Sequence, residues 1–207
     1  LLLAMFHTRI PQNLKISDME LNTDFLENEW LAAFPDLGRY KKGKFYKIMG
    51  PTVVGIELIR LRYLEGYRPH FVLYGLWSNN VDICLRAPEI LFELKNTLGR
   101  QLNIPFSNQN EVIQNNVDAI HRQIPSNFHA AFDLSRVIAL TDWHITNSSL
   151  SAAPYSYLVA SAYQMKLRMA IFAGTNDITE SILQSIRNRY WDSKHFELCG
   201  IKVSDWL

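Results

Sequence analysis

The spacing of apolar residues changes twice along the chain, and this change constrains the fold more than any other feature. Between residues 17 and 34, apolar side chains recur at helical spacing. From Lys44 to Trp77, β-branched and aromatic residues form short runs separated by glycine-containing turns, which is typical of strands. From about residue 108 the helical spacing returns. A helix, a meander and a run of helices predict an α+β fold, with an antiparallel sheet of three to five strands and helices packed on one face.

Three strands are predicted in the meander, over Lys44–Met49, Thr52–Leu64 and Pro69–Trp77. In the middle strand the apolar residues of one face give way to Arg60 and Arg62, while the other face becomes apolar. This change indicates either a β-bulge or a strand whose far half leaves the core.

The stretch after the meander is open to two interpretations. Val81–Leu85 and Glu89–Lys95 fit a hairpin, whereas Pro88 followed by an apolar run fits the first turn of a helix. A helix over residues 88–97 is slightly favoured. Gln101–Phe106 is expected to form an edge strand that ends near Pro105, because proline cannot donate to a sheet ladder.

Four helices are predicted in the C-terminal half of the chain. Their expected starts are Asn110, Ser126 or Asn127, Pro154, and Thr175 or Asp177. The helix from Pro154 to Ala173 is apolar on most sides and is followed by Gly174, a residue suited to the position after a helix end. It is therefore expected to be the central buried helix.

Composition excludes several classes of protein. The 207 residues carry a net charge of +1 and are 48% hydrophobic, which is enough for a core and excludes a disordered tail. One domain is expected over residues 1–207, with a helix and meander over 17–106 and a mainly helical part over 107–207. Residues 1–4 are expected to be additional residues ahead of a natural start at Met5.

The cysteines and the apolar runs predict a cytoplasmic protein that does not enter a membrane. Cys84 and Cys199 lie far apart without metal-ligand spacing, so two free thiols are favoured over a disulfide. No apolar run approaches the length of a membrane span, and the first residues lack the features of a signal peptide.

The small net charge hides an uneven distribution. Between Arg39 and His70 there are eight Lys and Arg against two Glu, a net charge of +6 that the remaining residues offset. Such a segment predicts a surface for an acidic protein partner or, with its interleaved tyrosines, for a nucleic acid. Alternatively, the lysines protect exposed strands from aggregation. The predicted binding residues are Lys42, Lys44, Lys47, Arg60, Arg62 and Arg68.

One short pattern suggests catalysis. Asp82 followed by Glu93-Leu94-Lys95 resembles the core of the PD-(D/E)xK nucleases, although no proline precedes the aspartate. The resemblance implies that Asp82 and Glu93 hold Mg²⁺ and that Lys95 positions or activates the attacking water. It requires Glu93 and Lys95 on one face of a strand; otherwise these are solvated side chains. The sequence contains no glycine-rich phosphate loop, no nucleophile elbow and no paired-histidine zinc motif.

A second resemblance covers about a quarter of the chain. The residues Lys41–Lys47, with the letters KKGKFYK, and Phe71–Gly75 lie in a segment, Phe25–Trp77, that resembles small bacterial helix-plus-hairpin domains of unknown function. Some of these act as immunity proteins that bind and neutralise a toxin. The resemblance implies binding without catalysis but transfers no site residue. The function predicted is a non-enzymatic interaction protein with no metal or other cofactor; the alternative is an Mg²⁺-dependent nuclease.

Overall fold

The structure is a computed structural model that describes residues 16–61, 63, 65–106, 117–124, 128 and 131–207, with side chains from residue 24 onward. Its first helix, α1 (Ile16–Ala33), is followed by an antiparallel sheet, and most of the remaining helices come after the sheet. The predicted α+β class is therefore confirmed.

The sheet is a meander extended by two short strands at one edge. Five strands lie in the order β1-β2-β3-β4-β5, and a sixth, β6, pairs with the part of β4 that β5 leaves open. All of the pairings are antiparallel. The strands are β1 (Gly38–Lys41), β2 (Lys44–Met49), β3 (Thr52–Leu61), β4 (Gly66–Gly75), β5 (Ile90–Glu93) and β6 (Ile104–Pro105).

The pairing of β3 with β4 shows why the apolar face of β3 changes along the strand: either a β-bulge is present or the far half of the strand leaves the core. The register of β3 and β4 runs without a shift from Thr52 opposite Gly75 to Leu61 opposite Gly66, so the expectation of a bulge is wrong. The far half of β3 instead leaves the core, since Ile59 is 40% exposed and Arg60 is also exposed. The end of β3 is therefore exposed, while its neighbour β4 stays buried, with Tyr67 opposite Arg60 only 3% exposed.

The region after β4 agrees with the hairpin interpretation only in part: a strand, β5, forms within Glu89–Lys95 as that alternative predicts, whereas Val81–Leu85 is not a strand. Val81–Cys84 is a one-turn helix, α2, because the Asn80 side chain accepts hydrogen bonds from the amides of Asp82 and Ile83. The helix favoured over residues 88–97 is wrong as well, because β5 pairs with β4 there. Pairing buries Ile90 and Phe92 on one side of β5, and this tertiary burial overrides the local preference for a helix.

The C-terminal half is helical, as predicted, but two starts differ: the helix expected from Pro154 begins at Tyr157, and residues 131–133, expected inside another helix, are not helical. The helix α4 begins at Leu134 because Asp133 accepts a hydrogen bond from the Ser135 amide at 2.9 Å. The predicted starts at Asn110, Ser126 and Asn127 lie outside the described residues. The helices are α3 (residues 117–123), α4 (Leu134–Asn147), α5 (Tyr157–Phe172), α6 (Asn176–Asn188), α7 (Ser193–Leu198) and α8 (Val203–Trp206).

The core lies between the helices and one face of the sheet, which we call the inner face. Ile56 and Phe71 of the inner face belong to the same buried cluster as Met165 and Met169 of α5. This helix contributes to the core as predicted, but it is buried on one side only, because Leu158, Ile171 and Phe172 are exposed. Gly174 follows its end with a φ of +67°. No helix among the described residues is long and apolar enough to cross a membrane. The side chains of the opposite, outer face form the candidate site.

Candidate functional site

Four titratable side chains form a row across the outer face of the sheet. Lys44 of β2 lies opposite Glu57 of β3, Glu57 lies opposite His70 of β4, and His70 lies opposite Glu93 of β5. Directly opposed residues of an antiparallel sheet share a face and lie within side-chain contact. The register therefore brings together two cations or potential cations and two carboxylates that are distant in the sequence.

Glu57 is the most buried carboxylate of this row, with 9% of the residue exposed. Its Oε1 accepts hydrogen bonds from Lys44 Nζ at 3.0 Å, from the Tyr74 hydroxyl at 2.5 Å, and from the Tyr46 hydroxyl. Burial alone would raise the pKa of Glu57, but these three donors together hold the pKa below its usual value. Burial, and then the hydrogen bond to Glu57, raise the pKa values of Tyr46 and Tyr74.

A glycine makes room for the tyrosine that covers this carboxylate. Gly55 lies opposite Tyr46, and a Cβ at Gly55 would be 2.7 Å from Tyr46 Cδ1 and 1.9 Å from the Phe45 carbonyl oxygen. The Tyr46 ring in turn stacks on Tyr40, with centroids 5.3 Å apart. Aromatic side chains, in place of a helix, thus cover this part of the outer face.

His70 and Glu93 continue the row toward the other edge. His70 Nε2 is 3.8 Å from Glu93 Oε1, while burial lowers the pKa of His70 despite that carboxylate. Both oxygens of Glu93 have partners: Oε1 is 3.3 Å from Arg68 Nη1, and Oε2 accepts from Gln101 Nε2 at 2.7 Å. The outer face is therefore a network of paired charges, with few open groups for a ligand.

Three of the predicted binding residues are neutralised within the protein. Lys44 pairs with Glu57 and Arg68 with Glu93, while Lys47 points to the inner face, where Nζ donates to the Phe128 carbonyl and lies 3.8 Å from Asp36 Oδ1. A fourth cation of the segment, Arg39, pairs with two carboxylates of α1. Four of the paired carboxylates come from outside Arg39–His70, so the charge around this segment is lower than its own sequence indicates. These four are Asp24, Glu27, Asp36 and Glu93.

Within Arg39–His70, the described cations without an ion pair lie at one end of the sheet, which we call the basic tip. The Leu58 amide donates to the Gly43 carbonyl at 2.7 Å, and this bond places the β1–β2 turn beside the β3–β4 hairpin. Arg62 lies outside the described residues. The basic tip consists of Lys41, Lys42, Ile59, Arg60 and Tyr63.

Each cation of the basic tip is exposed and has no ion-pair partner among the residues that the structure describes. Lys41 Nζ lies 5.0 Å from the Tyr40 ring centroid, and the Arg60 guanidinium lies 5.9 Å from that of Phe106. Tyr63 is 97% exposed, and the exposed Glu65 follows it in the hairpin turn. The tip therefore offers positive charge beside apolar and aromatic surface.

The three residues of the nuclease pattern are placed on separate structural features. Asp82 is exposed on α2, Glu93 lies at the end of β5, and the exposed Lys95 follows that strand. Glu93 Oε1 lies 3.3 Å from Arg68 Nη1, which offsets part of its charge. Among the described residues, no group of three or more His, Cys, Asp or Glu is placed to hold a metal ion. The catalytic role of Asp82, Glu93 and Lys95 stays a prediction.

Sequence reasoning missed the most connected residues of the outer face. Glu57, Tyr46 and Tyr74 lie on three different strands, and only the register of those strands brings them together. A signal was present: a single glutamate interrupts the apolar run of β3, and a buried carboxylate needs hydrogen-bond donors.

Comparisons with protein-family models, with curated proteins and with solved structures found no match to this chain.

Proposed function

We propose that this protein is a non-enzymatic binding protein that engages an acidic partner protein through the basic tip. The observation that carries the proposal is the contrast among the cations of the sheet. Lys44, Lys47 and Arg68 are held in internal pairs, whereas Lys42 and Arg60 are exposed, like Tyr63, and have no ion-pair partner in the described parts of the chain.

The composition of the tip supports a role in binding. Tyrosine and arginine are the residue types that contribute most often to the central contacts of protein interfaces. Tyr63, at 97% exposed, and Ile59, at 40%, would bury apolar area only on contact with another molecule. Exposed cations around an apolar contact surface speed the encounter with an acidic partner and disfavour partners with a basic surface. An inhibitor of the immunity type, as the resemblance of Phe25–Trp77 implies, would use a protruding surface of this kind.

The test compares three versions of the full chain as baits in quantitative affinity purification. They are the unmodified protein, the tip variant Lys42→Glu/Arg60→Glu, and a control variant with the same charge change on the helices, Lys194→Glu/Lys202→Glu, at two exposed lysines of the C-terminal helical region. We expect a partner with an acidic surface that the unmodified and control proteins retain and that the tip variant loses.

The affinity of the purified partner is then measured at low and at high salt. We expect at least a tenfold weaker affinity for the tip variant, and a smaller difference at high salt because ions screen exposed charges. Equal losses in both double variants would contradict the proposal. A retained species that is nucleic acid, released by nuclease treatment, would replace the acidic protein as the partner.

A further inference from the structure

The edge of β3 becomes open at the point where it enters the basic tip. The strand β2 begins at Lys44, opposite Glu57, and the last contact on that side is the hydrogen bond from the Leu58 amide to the Gly43 carbonyl. The Gly43 amide does not return the bond, because it donates to Glu27 Oε1 at 2.6 Å. The chain then turns toward β1, and β3 continues without a described neighbour on this side.

The backbone of Arg60 faces this open stretch of the β3 edge, which we call the lane. Peptide groups along a strand point to alternate sides, so the amide and carbonyl of Arg60 point to the same side as those of Leu58. On the opposite side, β4 pairs with β3 as far as Leu61 opposite Gly66. Arg60 is thus held in strand conformation by one neighbour, while its other edge has no partner strand among the described residues. Arg60 and the adjacent Ile59 are both exposed.

We propose that the acidic partner binds here as an extended segment that adds a short strand beside Arg60, in line with β2. This inference rests on the proposed function and names the form in which the partner is recognised. Backbone hydrogen bonds would supply affinity, as in other cases of strand addition to a sheet edge. The unpaired cations of Lys42 and Arg60 flank the lane, so they favour a strand with acidic side chains over a neutral or basic one.

The charge on the lane would also oppose pairing between two copies of this protein. Exposed edge strands recruit other strands, and lysine or arginine side chains at such an edge repel a second identical edge. Two copies of the basic tip would bring Lys42 and Arg60 against their own counterparts. The same cations would therefore disfavour a second copy and favour an acidic strand.

The test uses a synthetic peptide of alternating valine and glutamate as the probe. A second peptide has the same sequence with two central amides N-methylated, which removes two hydrogen-bond donors and keeps the charge. NMR titration of the full chain follows the Arg60 amide signal and its hydrogen exchange. We expect the first peptide to shift and protect this amide, and the methylated peptide to bind about tenfold more weakly, since two hydrogen bonds are removed.

Two results would overturn strand addition and leave the proposed function standing. One is equal affinity of the two peptides combined with weaker binding to Lys42→Glu/Arg60→Glu, which would mean that charge alone acts. The other is the absence of any effect of the peptide on the Arg60 amide while the natural partner still depends on Lys42 and Arg60. Lys194→Glu/Lys202→Glu serves as the matched control and should bind both peptides like the unmodified protein.

Discussion

The two faces of the sheet are stabilised in different ways. On the inner face, Ile56, Phe71 and Ile90 are almost fully buried against helices, and the contacts are apolar. On the outer face, Glu57 and His70 are also buried, but beneath neighbouring polar and aromatic side chains. The inner face obtains its stability from burial of apolar area. The outer face combines a small buried cluster, Val53, Val72 and Tyr74, with the hydrogen bonds to Glu57.

This difference explains where the exposed charge of the sheet lies. Each cation that faces the body of the sheet meets a carboxylate, because an unpaired charge under partial burial would be costly. Only at the basic tip, where β3 extends beyond β2, do cations of the sheet remain in water without a carboxylate among the described residues. The basic tip is therefore a distinct surface, separate from the outer face that it borders.

The largest loss of stability is expected from a substitution on the inner face. Phe71→Ala should lower the free energy of unfolding by about 3–5 kcal/mol, because it removes a buried ring and leaves a cavity. Leu91→Ala, on the outer face and 46% exposed, should cost well under half of that. Chemical denaturation of both variants checks the difference. Equal losses would mean that the outer face is packed as tightly as the inner one.

A smaller effect is expected from the carboxylate of the outer face. Glu57→Gln should lower the free energy of unfolding by about 1–3 kcal/mol, since Tyr46, Tyr74 and Lys44 lose a charged acceptor. The matched control is Glu65→Gln, at an exposed glutamate of the hairpin turn, which should be nearly neutral. A Glu57→Gln variant as stable as the unmodified protein would show that the three hydrogen bonds contribute nothing net.

We expect His70 and Glu57 to lower the free energy of unfolding over two different ranges of acid pH. The pKa of His70 is lowered in the folded state, so stability should begin to fall below about pH 6.5, where the unfolded chain binds the proton first. The pKa of Glu57 is also lowered, so its contribution is complete above about pH 4.3 and is lost as the pH falls toward the folded value. Denaturation curves across this range should show that Glu57→Gln removes only the second, more acidic part. If Glu57→Gln retained the full dependence of stability on acid pH, other groups would be responsible for the more acidic part.

The smallest effect on stability is expected at the basic tip. Lys42→Glu/Arg60→Glu should change the free energy of unfolding by no more than about 1 kcal/mol, because both residues are exposed and the main interaction removed is that of the Arg60 guanidinium with the Phe106 ring. Thermal unfolding beside Lys194→Glu/Lys202→Glu measures this. A large loss of stability for the tip variant alone would show that the tip is part of the folded core, and would weaken its use as a binding surface.

Local patterns were enough to predict much of the fold. The β2 bounds match the predicted strand, and Gly174 ends α5 as expected, because turn and cap residues act on their immediate neighbours. The strand β1 was missed, and at β5 a helix was favoured over the strand alternative, because neither segment has a local signal strong enough to decide. β1 consists of exposed residues, and β5 becomes a strand only by pairing with β4.

The candidate site was predicted in part, and the reason lies in strand register. The sequence of Arg39–His70 has the right residue types for a basic surface, and the tip includes Lys42 and Arg60. That sequence alone could not separate these from Lys44 and Arg68, whose carboxylate partners are set by pairing across strands. A charge count over one segment does not include Glu93 and the other anions that lie elsewhere in the sequence and pack against it.

Buried tyrosines also set a limit to this fold at high pH, mainly through their burial and, for Tyr46 and Tyr74, also through the hydrogen bond to Glu57. The pKa values of Tyr46, Tyr74 and Tyr67 are all raised in the folded state, above the usual value near 10. Their stabilising contribution is therefore present below about pH 10 and is lost as the pH rises, because the unfolded chain gives up these phenolic protons more readily. Since phenolate absorbs ultraviolet light differently from phenol, these three rings act as an internal optical reporter, whose ionisation in alkali should coincide with opening of the sheet.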